Sequence, residues 1–129
     1  NNALINTSGP VNDATRGIVV GTGVGAESYE GYALGTQVAH GSGAGQLLHA
    51  AHAAVGQAYV SGTLTWTLTI QRSFTNSSGG QIDINEIGMY AYIALAAYMI
   101  WRDLLGAATQ IPNNSVLTVA YPLTLTLPA

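Results

Sequence analysis

The amino-acid sequence predicts an all-β protein: a single β-sandwich or jelly-roll-like domain of about seven or eight strands. The strongest evidence is residues 63–74 (TLTWTLTIQRSF), where hydroxyl-bearing and large apolar side chains alternate with the period of two that is typical of strands. Similar short apolar segments recur between turn sequences at intervals of about 8–12 residues, as in sandwiches and barrels. The 129 residues suffice for one buried core and show no linker or repeat.

The N-terminal part of the chain divides into an arm and the start of the sandwich. Residues 1–16 are polar and turn-rich, which predicts an extended arm that either lies on a neighbouring subunit or frays; the sandwich is predicted over residues 17–129. Residues 17–22 (GIVVGT) form a short apolar strand in this interpretation. The glycine-rich stretch that follows excludes long helices, a short strand is predicted over residues 32–38, and residues 46–55 fit a helix or a strand.

The middle of the chain carries the clearest turn. Residues 76–80 (NSSGG) are predicted to join the alternating strand to the next one as a hairpin. In the second strand the apolar positions are even at Ile84 and odd from Ile87 onward. This change of phase predicts a β-bulge near Asn85 and Glu86.

The last third holds one segment with two interpretations and one clear strand. Residues 90–105 are predicted to form either a helix or a second hairpin with an unusually apolar tip. After a turn at residues 110–115, the odd positions from Leu117 to Leu127 share an apolar face. Pro122 removes one backbone donor, which predicts an edge strand or a bulge there.

Charge is the most unusual part of the composition. Only 7% of residues are charged, against roughly 25% in typical soluble domains, and the net charge is −3. Three arginines and no lysine exclude a basic nucleic-acid surface. The longest apolar run, residues 87–101, is shorter than the ~20 residues of a membrane-spanning helix. These two observations predict no nucleic-acid partner and no membrane partner. Because so few charges keep copies of the chain apart, the composition also predicts a homo-oligomer.

Arg72 and Glu86 are predicted to form a structural ion pair across the turn at residues 76–80. Arg72 occupies an even position among apolar residues, so it points toward the core, where an unpaired charge costs several kcal/mol. Glu86 lies at the predicted bulge, and Arg102 and Asp103 are the next candidates. A catalytic or ligand-binding charge cluster is the alternative to this structural role.

Other motifs that carry chemistry are weak. His49 and His52 have the spacing of two metal ligands, with His40 nearby, but a third ligand is not evident. Residues 21–25 (GTGVG) resemble part of a phosphate loop without its lysine, so loop glycines are the simpler interpretation. Nucleophile motifs are absent and carboxylates are few. The sequence therefore predicts a protein without enzymatic activity, catalytic residues, cofactor or metal.

The apolar segment around residue 95 is the predicted subunit contact, because exposed apolar patches usually mark contact sites. The alternative is that it folds onto its own core. The residues assigned to this contact are Tyr92, Ala94, Leu95, Ala96, Ala97 and Tyr98.

The order of motifs resembles a group of small virion proteins of tailed bacteriophages. The residues that carry the resemblance are GIVVGTG at 17–23, RSFTN at 72–76 and NEIGMY at 85–90, within a match over about residues 17–123. The resemblance implies a non-enzymatic β-sandwich located in the virion. We expect a capsid decoration or cement protein that self-associates and binds the major capsid protein or other virion proteins.

Two alternatives to capsid decoration stay open. The first is a tail or neck component of the virion. The second is a glycan-binding adhesion module with Tyr29, Tyr32 or Trp101 as sugar platforms. The apolar segment at residues 94–97 and the Tyr121–Pro122 step depart from the family pattern, which puts the outer contacts in doubt more than the fold.

Overall fold

A computed structural model describes residues 7–53, 57–93 and 95–128. Within these ranges the chain is all-β and its two sheets pack together, which confirms the predicted β-sandwich. The seven strands are β1 (Gly17–Gly21), β2 (Leu48–His49), β3 (Gln57–Val60), β4 (Thr65–Thr75), β5 (Ile82–Ile93), β6 (Ala96–Ile111) and β7 (Val116–Thr126).

All strand pairs are antiparallel. The first sheet has the order β1-β5-β6. In the second sheet β4 is central, with β7 along one side and both β2 and β3 along the other. The predicted strand at residues 32–38 is reduced to an isolated bridge between Gln37 and Gly21, and the described part of residues 46–55 contains β2 rather than a helix.

The turn at residues 76–80 connects the two sheets. Its predicted hairpin is wrong, because β4 pairs with β7 whereas β5 pairs with β1 and β6. Asn76 fixes the connection: its side-chain amide donates to the carbonyls of Gly80 and Ile111, and its side-chain oxygen accepts from the backbone N–H of Ser78. The sequence located the turn correctly but could not show which strands meet across it.

The core lies between the sheets. Alternation in β4 turns its even residues inward, as the sequence predicted, and Phe74 is completely buried there against residues of the first sheet. The buried apolar residues of this cluster are Ile18, Val20, Val38, Leu47, Phe74, Ile82, Ile84, Met89, Ile111 and Val119. A second, smaller cluster of Val19, Leu34 and Tyr90 lies on the outer face of the first sheet, so residues 22–38 cover part of that face.

The irregularity predicted near Asn85 is confirmed. Ile84 pairs with Thr109 and Glu86 with Leu104, so residues 105–108 of β6 lie opposite the single residue Asn85. The extra residues therefore belong to β6. A second shift in register follows at Met89.

Residues 90–105 form a hairpin, so the helical alternative is wrong. Leu95 lies at the turn with a positive φ of 77°, a conformation uncommon for a residue with a side chain. Ala96 and Ala97 are the first residues of β6 and pair with Ile93 and Tyr92. Ala94 lies outside the described residues.

β7 is an edge strand, as Pro122 predicted. Among the described strands β7 pairs with β4 alone. At the two ends of this pair, Asn76 donates to the carbonyl of Ser115 and Leu127 donates to that of Leu64, in the same register. The backbone N–H and C=O groups of odd residues in β7 therefore point toward β4. The nitrogen of Pro122, at an even position, points to the free edge, where no donor is needed.

Residues 7–16, here called the N-terminal segment, form no strand but lie against their own domain. Asn12 donates its backbone N–H to the carbonyl of His49, and His52 donates to that of Gly9. Residues 1–6 of the predicted arm lie outside the described residues. The described chain contains no helix long and apolar enough to cross a membrane.

Candidate functional site

Arg72 is completely buried, and its guanidinium is satisfied by backbone oxygens. It extends inward from β4 beneath the N-terminal segment. It donates five hydrogen bonds of 2.5 to 3.0 Å to the carbonyls of Pro10, Asp13, Arg16, Ile18 and Ala50. Burial lowers the pKa of Arg72 to about 10, which leaves it charged at neutral pH. One side chain thus fixes the path of a segment that has no regular structure.

The predicted ion pair between Arg72 and Glu86 is wrong. The prediction treated β4 and β5 as paired strands, but they belong to different sheets. Glu86 pairs in register with Gly21 and lies on the outer face of the first sheet, whereas Arg72 extends inward from the second sheet. Both side chains are fully buried, and for Arg72 this agrees with the prediction that it points toward the core. The two side chains have no hydrogen-bond partner in common.

Glu86 binds three backbone amides and one arginine. Its carboxylate accepts from the N–H groups of Gly23 (3.1 Å), Gly35 (3.0 Å) and Thr36 (2.8 Å). Arg102, the second candidate partner from the sequence, donates from Nε at 2.7 Å. Burial alone would raise the pKa of Glu86, but the two N–H donors at residues 35 and 36 and Arg102 outweigh it and hold the pKa below its usual value.

The glycines of residues 21–25 make room for this carboxylate. A Cβ at Gly21 or Gly23 would overlap the Glu86 side chain, so only glycine permits the close approach. The Gly25 carbonyl accepts from Arg102 at 2.8 Å. The motif that resembles a phosphate loop thus surrounds an anion of its own chain.

The three histidines do not converge on a metal. The backbone N–H of Ile18 donates to His52 Nε2 at 2.9 Å, and the backbone N–H of His49 donates to His40 Nδ1 at 3.1 Å. His49 Nδ1 lies 2.9 Å from the Leu47 carbonyl. The described residues hold no group of three potential metal ligands.

Burial changes the titration of two of these rings. It lowers the pKa of His49 and of His52 to about 4, and the charge of Arg72 adds to this effect in both. Both imidazoles are therefore neutral at neutral pH.

One end of the second sheet exposes its core-facing side. Tyr59, Trp66, Leu68, Leu123 and Leu125, here called the open end, share the inward face with Phe74 by strand alternation and register. Unlike Phe74, they are not covered: Leu125 is 55% exposed, Tyr59 and Leu123 are exposed, and the other two are half-buried. The sequence placed Trp66, Leu68, Leu123 and Leu125 on apolar strand faces, but alternation shows which face a residue shares and not how far the opposite sheet extends.

The hairpin tip, defined as Tyr92, Ile93 and residues 95–98, is the second uncovered apolar region. Leu95 is 87% exposed and Tyr98 56% exposed, while Ala97 is exposed and Ala96 half-buried. Tyr92 instead lies against Arg16, whose guanidinium carbon is 5.4 Å from the ring centre. Neither uncovered region contains charge, since residues 57–71, 87–101 and 104–128 include no acidic or basic side chain.

Two of the three aromatic residues suggested as sugar platforms are available. Tyr29 is fully exposed and Tyr32 largely exposed on the loop over residues 22–38, and Tyr29 adjoins a shallow pocket of about 330 Å³ lined also by Glu27 and Ser28. Trp101 packs edge-on against Tyr121, with ring centres 5.3 Å apart, so it belongs to the core and not to a platform.

The fold and the two buried charges define a small β-sandwich protein whose described polar groups serve mainly to hold its own loops. No protein-family model, curated protein or solved structure matches the chain.

Proposed function

We propose that this protein is a non-enzymatic structural component of a larger assembly and that it self-associates through the open end and the hairpin tip. The observation that carries the proposal is the open end: a sheet face with the apolar pattern of a core that no sheet covers within the described residues. Contiguous exposed apolar surface rimmed by polar residues typically marks a protein contact. Covering it contributes about 25 cal/mol per Å² of apolar area.

The distribution of charge favours a second copy of the chain as the partner. All nine charged residues lie outside the three charge-free segments, so two copies can meet there without burying a charge. The free edge of β7 is a poor alternative, because Pro122 points its nitrogen to that edge and interrupts any added strand. The contact we propose is therefore between sheet faces.

The finer proposal is a decoration or cement protein on the capsid of a tailed bacteriophage, bound to the major capsid protein. It rests on the resemblance carried by residues 72–76 and 85–90. These strings include Arg72, Asn76 and Glu86, which are buried and fix irregular segments. Residues of that kind determine a fold, so the strings support common ancestry with those virion proteins, and this ancestry is the basis for proposing a location in the virion.

A pair of variants on one strand tests the contact. Leu125→Asp places a charge on the open end, whereas Val116→Asp, at 59% exposure, places it on the opposite face of β7. We expect light scattering to show an oligomer for the wild type and for Val116→Asp, and at least tenfold weaker association for Leu125→Asp at an unchanged Tm. A monomeric wild type, or equal loss in both variants, would contradict the proposed contact.

Leu95→Asp tests the hairpin tip in the same assay. We expect it to keep the melting temperature, because the side chain is exposed, and to weaken association. Unfolding of the isolated domain would show that the tip belongs to the core.

The virion location needs a separate measurement. Mass spectrometry of purified particles should give a copy number close to that of the capsid lattice. A few copies per particle would instead favour a tail or neck component, and absence from particles would overturn the virion proposal.

Glycan binding is the second candidate, and two observations favour it: Tyr29 lines a pocket together with Glu27, and the ring of Tyr32 is exposed on the same loop. Aromatic faces and a nearby carboxylate suit a carbohydrate. A glycan array would support this function if the free protein bound a defined sugar and Tyr29→Ala lost that binding. The absence of any bound sugar would leave the assembly role as the better function.

A further inference from the structure

The contacts of the N-terminal segment include hydrogen bonds from Arg72 and from the side-chain amide of Gln37, which donates to the Ala14 carbonyl. They also include two backbone hydrogen bonds, one of them from the Asn12 N–H to the His49 carbonyl. Arg72 donates to the carbonyls of Pro10, Asp13 and Arg16, and the backbone N–H of His52 donates to the carbonyl of Gly9 at 2.8 Å. The segment has no strand pairing of its own. Arg72 and the His52 backbone therefore supply four of the hydrogen bonds that hold the segment.

The His52 ring lies at the junction between the N-terminal segment and β1. Its Nε2 accepts the backbone N–H of Ile18, so this nitrogen carries no proton. Gly17, at a positive φ of 77°, has no room for a Cβ because the same ring nitrogen lies against it. A proton on Nε2 would point at the N–H of Ile18 and replace an attraction by a repulsion.

We propose that the N-terminal segment is an acid-releasable clasp: protonation of the His52 ring detaches residues 7–16 and the beginning of β1 from the second sheet, while the β4–β7 pair stays folded. This device does not depend on the proposed assembly function. It concerns the opposite end of β4 from the open end.

The charges around the ring favour release once it is protonated. Arg72 is already cationic, and Asp13, the carboxylate of this cluster, is hydrogen-bonded to Thr15 and lies 3.2 Å from Arg16. Arg16 itself lies over the Tyr92 ring of β5. A second cation at His52 would thus meet Arg72 without a free counter-ion in the cluster.

The neighbouring rings add a second buried base. His49 packs edge-on between His40 and Phe74, and its Nε2 is buried without a hydrogen-bond partner in the described structure. Its backbone carbonyl also holds Asn12 of the clasp. Protonation of His49 would act in the same direction as that of His52.

Release uncovers a strand edge. Three outward backbone groups of β1 are occupied in the closed form: the Ile18 N–H donates to His52, the Ile18 carbonyl accepts from Arg72 at 2.9 Å, and the Val20 carbonyl accepts from the Val38 N–H. Opening the clasp frees both groups of Ile18. An edge with free donors and acceptors is a template for another strand.

The expected size follows from linkage. The His52 pKa is about 4 in the closed form and 6.5 when free, mainly because burial and then Arg72 disfavour the charged ring. The opening equilibrium should rise by up to tenfold for each pH unit between these values, or about 300-fold in all, since only the open form takes up the proton there.

Hydrogen exchange tests the clasp. In the wild type we expect protection factors of Asn12 and Ile18 to fall at least tenfold between pH 6.5 and 5, while those of Ile70 and Tyr121 in the β4–β7 pair change less than threefold. His52→Gln keeps an acceptor oxygen without a titrating group. In that variant the protection of Ile18 should depend less on pH over the same range than in the wild type, because only the contribution of His49 remains.

Two outcomes would overturn the clasp. One is parallel loss of protection in β1 and in the β4–β7 pair, which means global unfolding. The other is the same pH dependence in His52→Gln as in the wild type. If the variant does not fold, ¹⁵N shifts of the wild-type ring decide: protonation of His52 Nε2 must coincide with loss of Ile18 protection, and release while that nitrogen is neutral refutes the proposal.

Discussion

Arg72 and Glu86 each bind an irregular backbone segment through a buried charge, and the two charges are opposite in sign. Both are completely buried, and each holds a segment that has no regular strand. Arg72 uses carbonyl oxygens to fix residues 7–16, and Glu86 uses N–H groups to fix residues 22–36. Backbone dipoles can therefore satisfy a buried charge where the sequence suggests an ion pair.

The two sites differ in what balances their charge. Glu86 has Arg102 at 2.7 Å, whereas Arg72 is bound by neutral carbonyls, with Asp13 nearby in the same segment. Two neutral imidazoles of low pKa also lie close to Arg72. We therefore expect the Arg72 site to be the more sensitive to mutation and to weak acid.

Removing Arg72 should have the largest effect. In Arg72→Met five carbonyls lose their donor, and we expect the free energy of unfolding to fall on the order of 3–5 kcal/mol in urea titrations. Arg16→Met is the matched control. Its ion pair is partly exposed, so the loss should stay within about 1 kcal/mol. Equal losses in both variants would show that the five hydrogen bonds contribute little.

Glu86→Gln should lower the free energy of unfolding by somewhat less, on the order of 2–4 kcal/mol. One acceptor oxygen remains in this variant, but the new amide group faces backbone N–H donors.

Double-mutant cycles test whether the two sites are independent. Glu86 and Arg102 should couple by about 0.5–3 kcal/mol, whereas Arg72 and Glu86, which share no partner, should add within about 0.5 kcal/mol. Strong coupling between Arg72 and Glu86 would support the ion pair that the sequence suggested.

Acid should separate the two sites by pH. His49 and His52 have a folded pKa of about 4 and an ordinary value of 6.5, so they are neutral in the folded form and take up protons first when unfolded. Their contribution to the free energy of unfolding is therefore fully present above pH 6.5. It falls as the pH drops toward 4, by at most about 1.4 kcal/mol per pH unit for each ring. The loss should be smaller for the partly exposed His52.

The Glu86 site should weaken only in stronger acid. Its pKa lies below the ordinary 4.5, so its contribution is present above pH 4.5 and is lost below it. The backbone amides of Gly35 and Thr36 should therefore lose their protection from hydrogen exchange at a lower pH than the amide of Ile18. The reverse order would contradict the assignment of the two sites.

Glycine substitutions should give the smallest effects. Gly21→Ala places a methyl group against the Glu86 carboxylate and the Thr36 carbonyl, so we expect a loss of about 1–3 kcal/mol from thermal denaturation. Gly25→Ala is the control, because a Cβ there meets nothing within 4 Å. A cost at Gly25 as large as at Gly21 would point to backbone flexibility instead of space.

The local pattern of the sequence determined strands β1, β4, β5 and β7, and it assigned the faces of β4 and β7. Alternation in residues 65–74 predicted which side chains of β4 point inward, and the change of phase after Ile84 located the irregularity in the pairing of β5 with β6. Pro122 marked the edge strand. These features depend on neighbours along the chain, because the period of two and the missing N–H of proline are properties of a single strand.

The tertiary structure alone decided what meets across the sandwich. Arg72 binds the Pro10 carbonyl 62 positions away, and Glu86 binds Gly23 at a separation of 63. It also decided that the core pattern of β4 and β7 continues beyond the covering sheet at the open end. Alternation assigns a face but not its partner, since the partner is set by which strands pair and how far each sheet extends.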